Sequence, residues 1–419
     1  MIDDDSKFFS LSGSIPIGGP STWHITNWDQ RRVVSVTMDG EQDDESLAIE
    51  HLSRYSDQLS SEIHRIYVSQ SGEIISTYTE EKDNQNYCVH YPFLHESSFP
   101  AGVLTVRRDE LEELSRLGPD VDLVKYPVCS VHSARKVVFK YYFLWQYAHA
   151  SWKELNLWMR LPAHPNIVPF DRVVVDELYD RVVGFTNIYV PGGNLEENDS
   201  RIFRLEWLKQ LTEVVDELNL QLGISHQDIA PRNLVINEST NRIMLFDFNF
   251  AARISRSHNP TEGEAYREER NDIKGVIFTA YEIITKDNAP RSKPHKEQDL
   301  GYLEKEWVKH PDVKLDHPMA SYQLLLKEWR DQRTKDLSTA QPGDFPKAID
   351  WPSRPEPPSR TTTHLSVYGE PFVTTMEALY ERRQDVRDRN EKVLTWGRPP
   401  QRVVDTGIRL LATGKVIEC

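Results

Sequence analysis

Two polar segments near the middle of the chain contain residue types that suit phosphoryl transfer. In HQDIAPRN (226–233), Asp228 is followed five residues later by Asn233. A carboxylate in such a loop can accept the proton of a substrate hydroxyl, and the amide can bind both that carboxylate and a magnesium ion. Asp247, fourteen residues beyond Asn233, ends an apolar run and could bind Mg²⁺ there. Each residue alone is typical of a turn or a cap, but the two motifs at this spacing favour phosphotransfer.

The apolar pattern around these segments predicts the elements that would hold them. A long helix is expected over 203–221, and two short strands at 234–237 and 243–248 should form a hairpin. The segment 272–284 is apolar on nearly all sides, which predicts a buried helix.

The preceding part of the chain is predicted to be mainly β-structure. Strands are expected at 121–127, 136–144 and 181–190, with one helix through Trp158 among them. Strands first, one helix between them and then a mainly helical half is an order that fits a two-lobed α+β fold.

The N-terminal third shows weaker patterns. Residues 1–30 are polar and rich in Ser, Gly and Pro, and they predict a poorly ordered arm. A strand is expected at 33–38, and a hairpin is expected around Gly72. Leu111, Leu114 and Leu117 recur at every third position, which predicts a helix that Gly118 and Pro119 end.

With these elements in place, the chain resembles a eukaryotic protein-kinase-like domain over about residues 118–335. VVFK at 137–140 is similar to the third-strand V-A-I-K motif, and the resemblance implies that Lys140 binds the α- and β-phosphates of ATP. It also implies that Glu154, ten residues before His164 of HPNIV, pairs with this lysine.

YVPGGNL at 189–195 resembles the hinge that joins the lobes of such kinases. The resemblance implies that the backbone of Ile188 and Val190 forms hydrogen bonds with the adenine. It also implies that Val138 and Val235 pack on the two faces of the adenine ring. It assigns the following roles: catalysis to Asp228, Lys140, Glu154 and Arg232; ATP binding to Lys140, Val138, Ile188, Val190, Val235, Asn233 and Asp247; Mg²⁺ binding to Asn233 and Asp247.

The same resemblance implies internal supports for the site. Trp158 would pack beside Phe248 and His226, which gives this histidine a structural role. Asp272 would receive backbone N–H bonds from the catalytic loop, and Gly275 occupies the small-residue position of the same helix.

Several positions depart from the family pattern. No glycine lies between Asp120 and Lys140, so a GxGxxG flap cannot form there. Gln227 stands where an arginine often reads a phosphorylated activation loop, which argues against that switch. Asn249 replaces the glycine of DFG, and asparagine tolerates the positive φ of such a turn. Between Asp247 and Asp272 there are only 24 residues and no APE motif, so a reduced peptide-docking platform is expected.

Composition limits the partners and the compartment. A formal net charge of −15 argues against a nucleic-acid partner. No run is long and apolar enough to span a membrane, and the acidic N-terminus lacks the features of a secretory signal. Three widely spaced cysteines suggest neither disulfides nor a zinc site. A cytoplasmic or nuclear protein is expected.

These observations predict an N-terminal extension at 1–107, a protein-kinase-like domain at 108–335, a Pro-rich linker at 336–369 and a C-terminal helix and tail at 370–419. Within the domain, the smaller lobe should cover about 118–190 and the larger lobe about 191–335.

Three functions remain open: an atypical Mg-ATP-dependent kinase acting on a protein hydroxyl, a small-molecule kinase on the same fold, and a pseudokinase that serves as a scaffold. The complete set of polar site residues favours catalysis, and HPNIV with the hinge favours the protein-kinase branch.

Overall fold

The computed structural model describes residues 2–128, 131–254, 266–339, 345–366 and 369–417. The strands are β1 (Phe8–Ser14), β2 (Ser21–Asn27), β3 (Arg32–Met38), β4 (Arg65–Val68), β5 (Ile74–Tyr78), β6 (Cys88–Val89), β7 (Thr105–Arg107), β8 (Glu112–Gly118), β9 (Val121–Val128), β10 (Val131–Tyr141), β11 (Phe170–Val175), β12 (Val182–Ile188), β13 (Ile202–Phe203), β14 (Ile224–Ser225), β15 (Leu234–Asn237), β16 (Arg242–Leu245), β17 (Ala252–Arg253), β18 (Lys314–Leu315), β19 (Ser359–Leu365), β20 (Pro371–Glu377), β21 (Tyr380–Glu381) and β22 (Leu410–Leu411).

The α-helices are α1 (Ser46–Tyr55), α2 (Ala148–Arg160), α3 (Leu205–Asp216), α4 (Asp272–Thr285), α5 (Met319–Thr339), α6 (Arg383–Asp388) and α7 (Gln401–Val404). Among the described residues, none of these helices has the length and apolar character needed to cross a membrane.

The chain divides into two compact units. The first contains Met1–Ser151, Asp171–Asn187 and Arg354–Cys419, and the second contains Trp152–Phe170 and Ile188–Ser353. Both the N-terminal and the C-terminal region therefore belong to the same unit as the central strands β8–β10. The architecture is mixed α/β, and the two-lobed protein-kinase-like arrangement stays a prediction.

One part of the first unit is a five-stranded sheet in the order β1-β2-β3-β4-β5. The expectation of a poorly ordered arm at 1–30 is wrong, because β1 and β2 pair antiparallel within this sheet. Ile25 is fully buried and packs with Phe8 and Trp23 in the core that α1 covers. The strand at 33–38 and the hairpin around Gly72 are confirmed as β3 and as β4 with β5.

A second sheet of the first unit has seven strands in the order β22-β8-β9-β10-β12-β11-β7. The predicted helix at Leu111–Leu117 is wrong, because residues 112–118 form β8 and pair antiparallel with β9. The leucine spacing misled because Leu114 and Leu117 are both exposed. Arg116, by contrast, is buried and forms an ion pair with the carboxylate of Asp122. The hairpin β8–β9 turns at Gly118 and Pro119.

A buried ion network joins distant parts of the first unit. The carboxylate of Asp122 lies 2.5 Å from Arg31 and 2.6 Å from Arg116. Glu113 contacts Arg31 at 2.9 Å and Arg398 at 2.7 Å. Burial alone would raise the pKa of Glu113, but the two arginines hold that pKa below its usual value. The network ties β8 and β9 to chain segments near both ends of the sequence.

We expect Asp122→Ala to destabilise this unit by about 3–5 kcal/mol, because the substitution leaves Arg31 and Arg116 buried without that counter-charge. Hydrogen exchange measured by mass spectrometry on peptides from 112–141 gives the local free energy of opening. Asp109→Ala is the control, since its pair with Arg107 is partly exposed and should contribute less than about 1 kcal/mol. Equal protection in the two variants would contradict the structural role of the network.

The second unit is mainly helical around short hairpins. The predicted helix at 203–221 is confirmed as α3 followed by a π-helical turn, Glu217–Gln221. The predicted strands after the catalytic-loop segment are β15 and β16, which pair antiparallel from Leu234 opposite Leu245. The buried helix expected at 272–284 is α4. Gly223 follows the π turn with a φ of +69°, a left-handed conformation that glycine adopts readily and that lets the chain reverse into β14.

The C-terminal expectations are confirmed only in part. The helix predicted near 372–393 is restricted to α6, because residues 371–377 form β20, which pairs with β19. Within the predicted linker, α5 extends to Thr339 and 340–344 lie outside the described residues. Residues 345–358 form no helix or strand, but Trp351 is buried there.

Candidate functional site

The predicted catalytic loop lies between β14 and β15 and holds three of the predicted residues together. Asn233 donates from Nδ2 to the backbone oxygen of Asp228 at 2.8 Å and to its carboxylate Oδ2 at 2.9 Å. Arg232 donates to Oδ1 of the same carboxylate at 2.6 Å. Both oxygens of Asp228 are therefore fixed by neighbours four and five residues away, so the direction of the carboxylate is set within the loop itself.

Asp272, the first residue of α4, fixes the backbone on which that carboxylate stands. It is buried and accepts hydrogen bonds from the backbone N–H of His226 at 2.8 Å and of Gln227 at 2.7 Å. The amide of Asn219 donates a third bond to it at 2.8 Å. The two backbone bonds are the contact that the kinase resemblance implies for Asp272. A charged acceptor strengthens such bonds relative to a neutral one.

The close approach of α4 to the loop requires a glycine. A Cβ atom at Gly275 would lie 2.9 Å from Cβ of Ile229, well inside van der Waals contact. Thr279, one turn further on, donates its hydroxyl proton to the backbone oxygen of Ile229 at 3.1 Å. The helix therefore fixes both halves of the loop.

The aromatic support predicted for the site is present in the second unit. The ring centroid of Phe248 lies 5.1 Å from that of Trp158 and 4.9 Å from that of His226. His226 contacts the carbonyl oxygen of Phe246 through Nε2 and the N–H of Asp228 through Nδ1. These two partners fix the tautomer with a proton on Nε2, because the carbonyl needs a donor and the N–H an acceptor.

Asp247 follows directly after the β15–β16 hairpin. The N–H of Phe246 donates to the backbone oxygen of Asn233 at 3.2 Å, which brings the two predicted magnesium ligands to one end of the hairpin. The left-handed residue of this turn is Asp247, with φ of +65°, and Asn249 does not have a positive φ. The expectation that Asn249 supplies this conformation is therefore wrong, since the turn reverses two residues earlier.

Gln227 has a structural role that the sequence did not reveal. Its side chain donates to the carbonyl oxygen of Phe250 at 2.9 Å and accepts from the N–H of Arg267 at 2.7 Å. The amide thus joins the two described ends of the segment after Asp247, whose residues 255–265 lie outside the described part. A neutral amide forms this connection without any added phosphate.

A basic group beside Asp228 was also missed, because its members lie far apart in sequence. Arg270 donates to Nε2 of His295 at 3.1 Å and lies over the ring of Phe250 at 4.3 Å. Burial lowers the pKa of Arg270. The negative charge of Asp228 acts to raise this pKa, and the positive charge of Arg232 acts to lower it. Positive charge is therefore concentrated next to the predicted catalytic carboxylate.

The remaining predicted residues lie as follows. Lys140 and Val138 are on β10 in the first unit, with Lys140 opposite Val121 on the neighbouring strand. Glu154 is buried on α2 in the second unit. Ile188 ends β12, and its N–H already donates to the carbonyl oxygen of Pro169 at 3.0 Å. Since this N–H is already used, the backbone of Ile188 can bond an adenine base only through its carbonyl group.

Val190 and Val235 complete the predicted ATP-binding set. Both belong to the second unit. Val190 follows β12 and is half-buried, while Val235 is buried on β15 opposite Met244. Roles in nucleotide binding remain predictions for all of these residues.

The donor atoms at the hairpin end suit a hard cation. Nδ2 of Asn233 is bound to Asp228, which leaves its amide oxygen as an acceptor. An amide oxygen and the carboxylate of Asp247 are ligand types that Mg²⁺ prefers. Within the described residues, no group of three or more His, Cys, Asp or Glu side chains is arranged to hold a metal by itself. Because Mg²⁺ prefers six oxygen ligands, an ion bound by these two side chains would also take phosphate or water oxygens.

Comparison with known proteins gives one partial similarity. No family model matches the chain. The chain is 28% identical over 159 residues to the mouse (Mus musculus) protein named ribosomal protein S6 kinase alpha-6. The match covers 35% of this chain and 20% of that protein, so the chain spans about a fifth of the length of the relative that it matches. This similarity supports a kinase-like relationship over part of the chain and goes no further.

We expect Asp272→Ala to weaken the catalytic loop by about 3 kcal/mol or more, because it leaves three buried N–H donors without an acceptor. Hydrogen exchange on peptides covering 224–237 measures this change. Asp331→Ala is the control in the same unit, since Asp331 forms an exposed pair with Arg330 and its loss should cost less than about 1 kcal/mol. Unchanged protection of 224–237 in Asp272→Ala would show that α4 does not hold the loop.

Proposed function

We propose that this protein is an ATP-dependent phosphotransferase of the protein-kinase-like type, which transfers the γ-phosphate of ATP to a hydroxyl group, most simply on a protein. The observation that carries the proposal is the Asp228 carboxylate, bound by Asn233 and Arg232 in a loop that Asp272 fixes. The partial similarity to a kinase supports the same class.

In this mechanism Asp228 accepts the proton of the attacking hydroxyl, and its fixed orientation avoids a reorganisation cost during the reaction. Arg232 adds positive charge beside the transferred group. Asn233 and Asp247 would hold Mg²⁺, which neutralises phosphate charge when bound. Lys140 and Glu154 keep in the proposal the roles that the resemblance gives them, as do Val138, Ile188, Val190 and Val235 around the adenine.

A small-molecule substrate is the second candidate. The short interval between Asp247 and Asp272 favours it, since a small substrate needs no peptide-docking platform. The two guanidinium groups of Arg232 and Arg270 would suit a substrate that also carries a negative charge.

The proposal predicts that Mg-ATP raises the melting temperature of the full chain and that the chain turns over ATP. Asp228→Asn should lower turnover at least about 100-fold while the thermal shift persists, because the carboxylate acts on the hydroxyl and not on nucleotide binding. Asp247→Asn should remove the magnesium-dependent part of the shift. Asp331→Asn, with an exposed carboxylate in the same unit, serves as the control.

The outcomes separate the candidates. Absence of any Mg-ATP-dependent shift or turnover would contradict the phosphotransferase proposal. A shift without turnover would favour the pseudokinase. Where turnover occurs, phosphate labelling of generic protein substrates against small alcohols and sugars identifies the substrate class, and labelling confined to the small compounds would favour the second candidate.

A further inference from the structure

The first unit contains a cavity of about 1140 Å³, and none of the residues assigned to phosphotransfer lines it. Its wall is drawn from three parts of that unit: the five-stranded sheet, the chain around β6 and the end of β10, and the segment from β21 to Pro400. Typical small-molecule pockets measure roughly 300–1,000 Å³. The cavity therefore has room for an organic ligand.

Four arginines line the cavity, and two of them are already neutralised. Arg31 is paired with Asp122 and Glu113, and Arg398 is paired with Glu113 and Asp29. These pairs belong to the buried network that holds the unit together. They leave Arg32 and Arg383 as the two guanidinium groups of the wall that need separate explanation.

Arg32 is buried, with 7% of its surface exposed, and has no carboxylate partner among the described residues. It donates only to the backbone oxygens of Ser60 at 2.9 Å and Leu59 at 3.3 Å. Its Nε atom is buried without a hydrogen-bond partner. Burial lowers the pKa of Arg32 to about 10. A buried guanidinium in this state is costly unless an anion compensates it.

Arg383, the first residue of α6, is the second arginine of the wall without a carboxylate partner among the described residues. Its guanidinium forms neither a hydrogen bond nor an ion pair within the described ranges, and its Nε atom is buried. Burial lowers its pKa as well. The carboxylate of Glu81, whose charge reaches Arg383, is paired with Arg387 at 3.0 Å. No acidic group of the wall is thus left to neutralise Arg383.

The two arginines share the cavity wall with a titratable histidine, His64. Burial lowers the pKa of His64, and the charges of Arg383 and Arg32 both lower it further, against the opposite effect of Glu81 and Asp83. Asp83 is itself bound to Arg65 at 3.2 Å. His64, Arg32 and Arg383 all line the cavity, so two guanidinium groups without a carboxylate partner among the described residues share its wall.

An aromatic surface forms another part of the lining of the same cavity. The ring of Tyr380 stacks on Trp145, with centroids 4.9 Å apart and an angle of 23°, and lies 4.7 Å from the ring of Tyr87. All three rings line the cavity. Aromatic walls of this kind bind flat, partly apolar groups.

We propose that this cavity is a binding site for a small phosphorylated molecule that carries a flat ring, with Arg32 and Arg383 on the phosphate and the aromatic wall beside the ring. Two guanidinium groups with unused donors match the charge and the oxygen geometry of a phosphate better than those of a carboxylate. The site lies wholly within the first unit and does not depend on the proposed kinase activity.

Isothermal titration calorimetry on the full chain tests the site, with no nucleotide added, because ATP is itself a phosphorylated molecule with a flat ring and would compete for the cavity. Phenyl phosphate should bind with a 1:1 ratio and more tightly than inorganic phosphate or benzoate. No saturable binding of phenyl phosphate would overturn the proposal. Equal affinity for benzoate would overturn the preference for phosphate, and equal affinity for inorganic phosphate would overturn the role of the aromatic wall.

A pair of variants assigns the binding to the cavity. Arg383→Gln should weaken phenyl phosphate about tenfold or more. Its melting temperature without ligand should not fall, because the side chain makes no hydrogen bond to lose. Arg382→Gln is the matched control, as this neighbour is exposed and does not line the cavity. Equal affinity in both variants, or an equal loss in both, would overturn the assignment.

Discussion

The burial of Asp122 and Glu113 is the constraint on which the first unit depends. A carboxylate without solvent is tolerated only when cations and hydrogen bonds compensate it. Here the compensating cations come from distant segments of the chain. Arg31 lies between β2 and β3, Arg116 lies on β8, and Arg398 lies near the C-terminus. The sheet, the N-terminal segment and the C-terminal segment must therefore be present together, which explains why they form one compact unit.

The same principle operates on a smaller scale in the second unit. The carboxylate of Asp272 is used entirely on N–H groups, so it fixes the backbone of the loop rather than a charge on another side chain. Asp228 then stands on a rigid support, and its own oxygens are directed by Arg232 and Asn233. One acidic residue is structural and the other faces the substrate in the reaction that we propose, and the difference lies in what surrounds each of them.

The sequence predicted local features well and long-range ones poorly. Asp228, Asn233 and Asp272 were found because their roles depend on spacing within motifs, and the hydrogen bonds among them agree with that spacing. The strand at 112–118 was mistaken for a helix because three leucines at every third position fit a helical period, whereas the strand is decided by its antiparallel pairing with β9. The strands before residue 30 were missed because they are rich in polar residues and burial does not alternate along them. Gln227 and Arg270 were missed because their contacts join residues that no motif links.

The position of Arg398 in the chain has a consequence for biosynthesis. Its hydrogen bonds reach back 285 residues to Glu113 and 369 residues to Asp29. Because the ribosome releases the chain from the N-terminus, every residue of the second unit leaves the tunnel before this arginine does. The nascent β8 strand must therefore wait for Arg398, one of the two arginine partners of Glu113, while a complete helical region is synthesised. Contacts of such sequence separation form slowly and expose strand edges in the meantime. The first unit is thus the first to be translated and the last to complete its fold. Chaperones that shield unpaired strands would act during this interval.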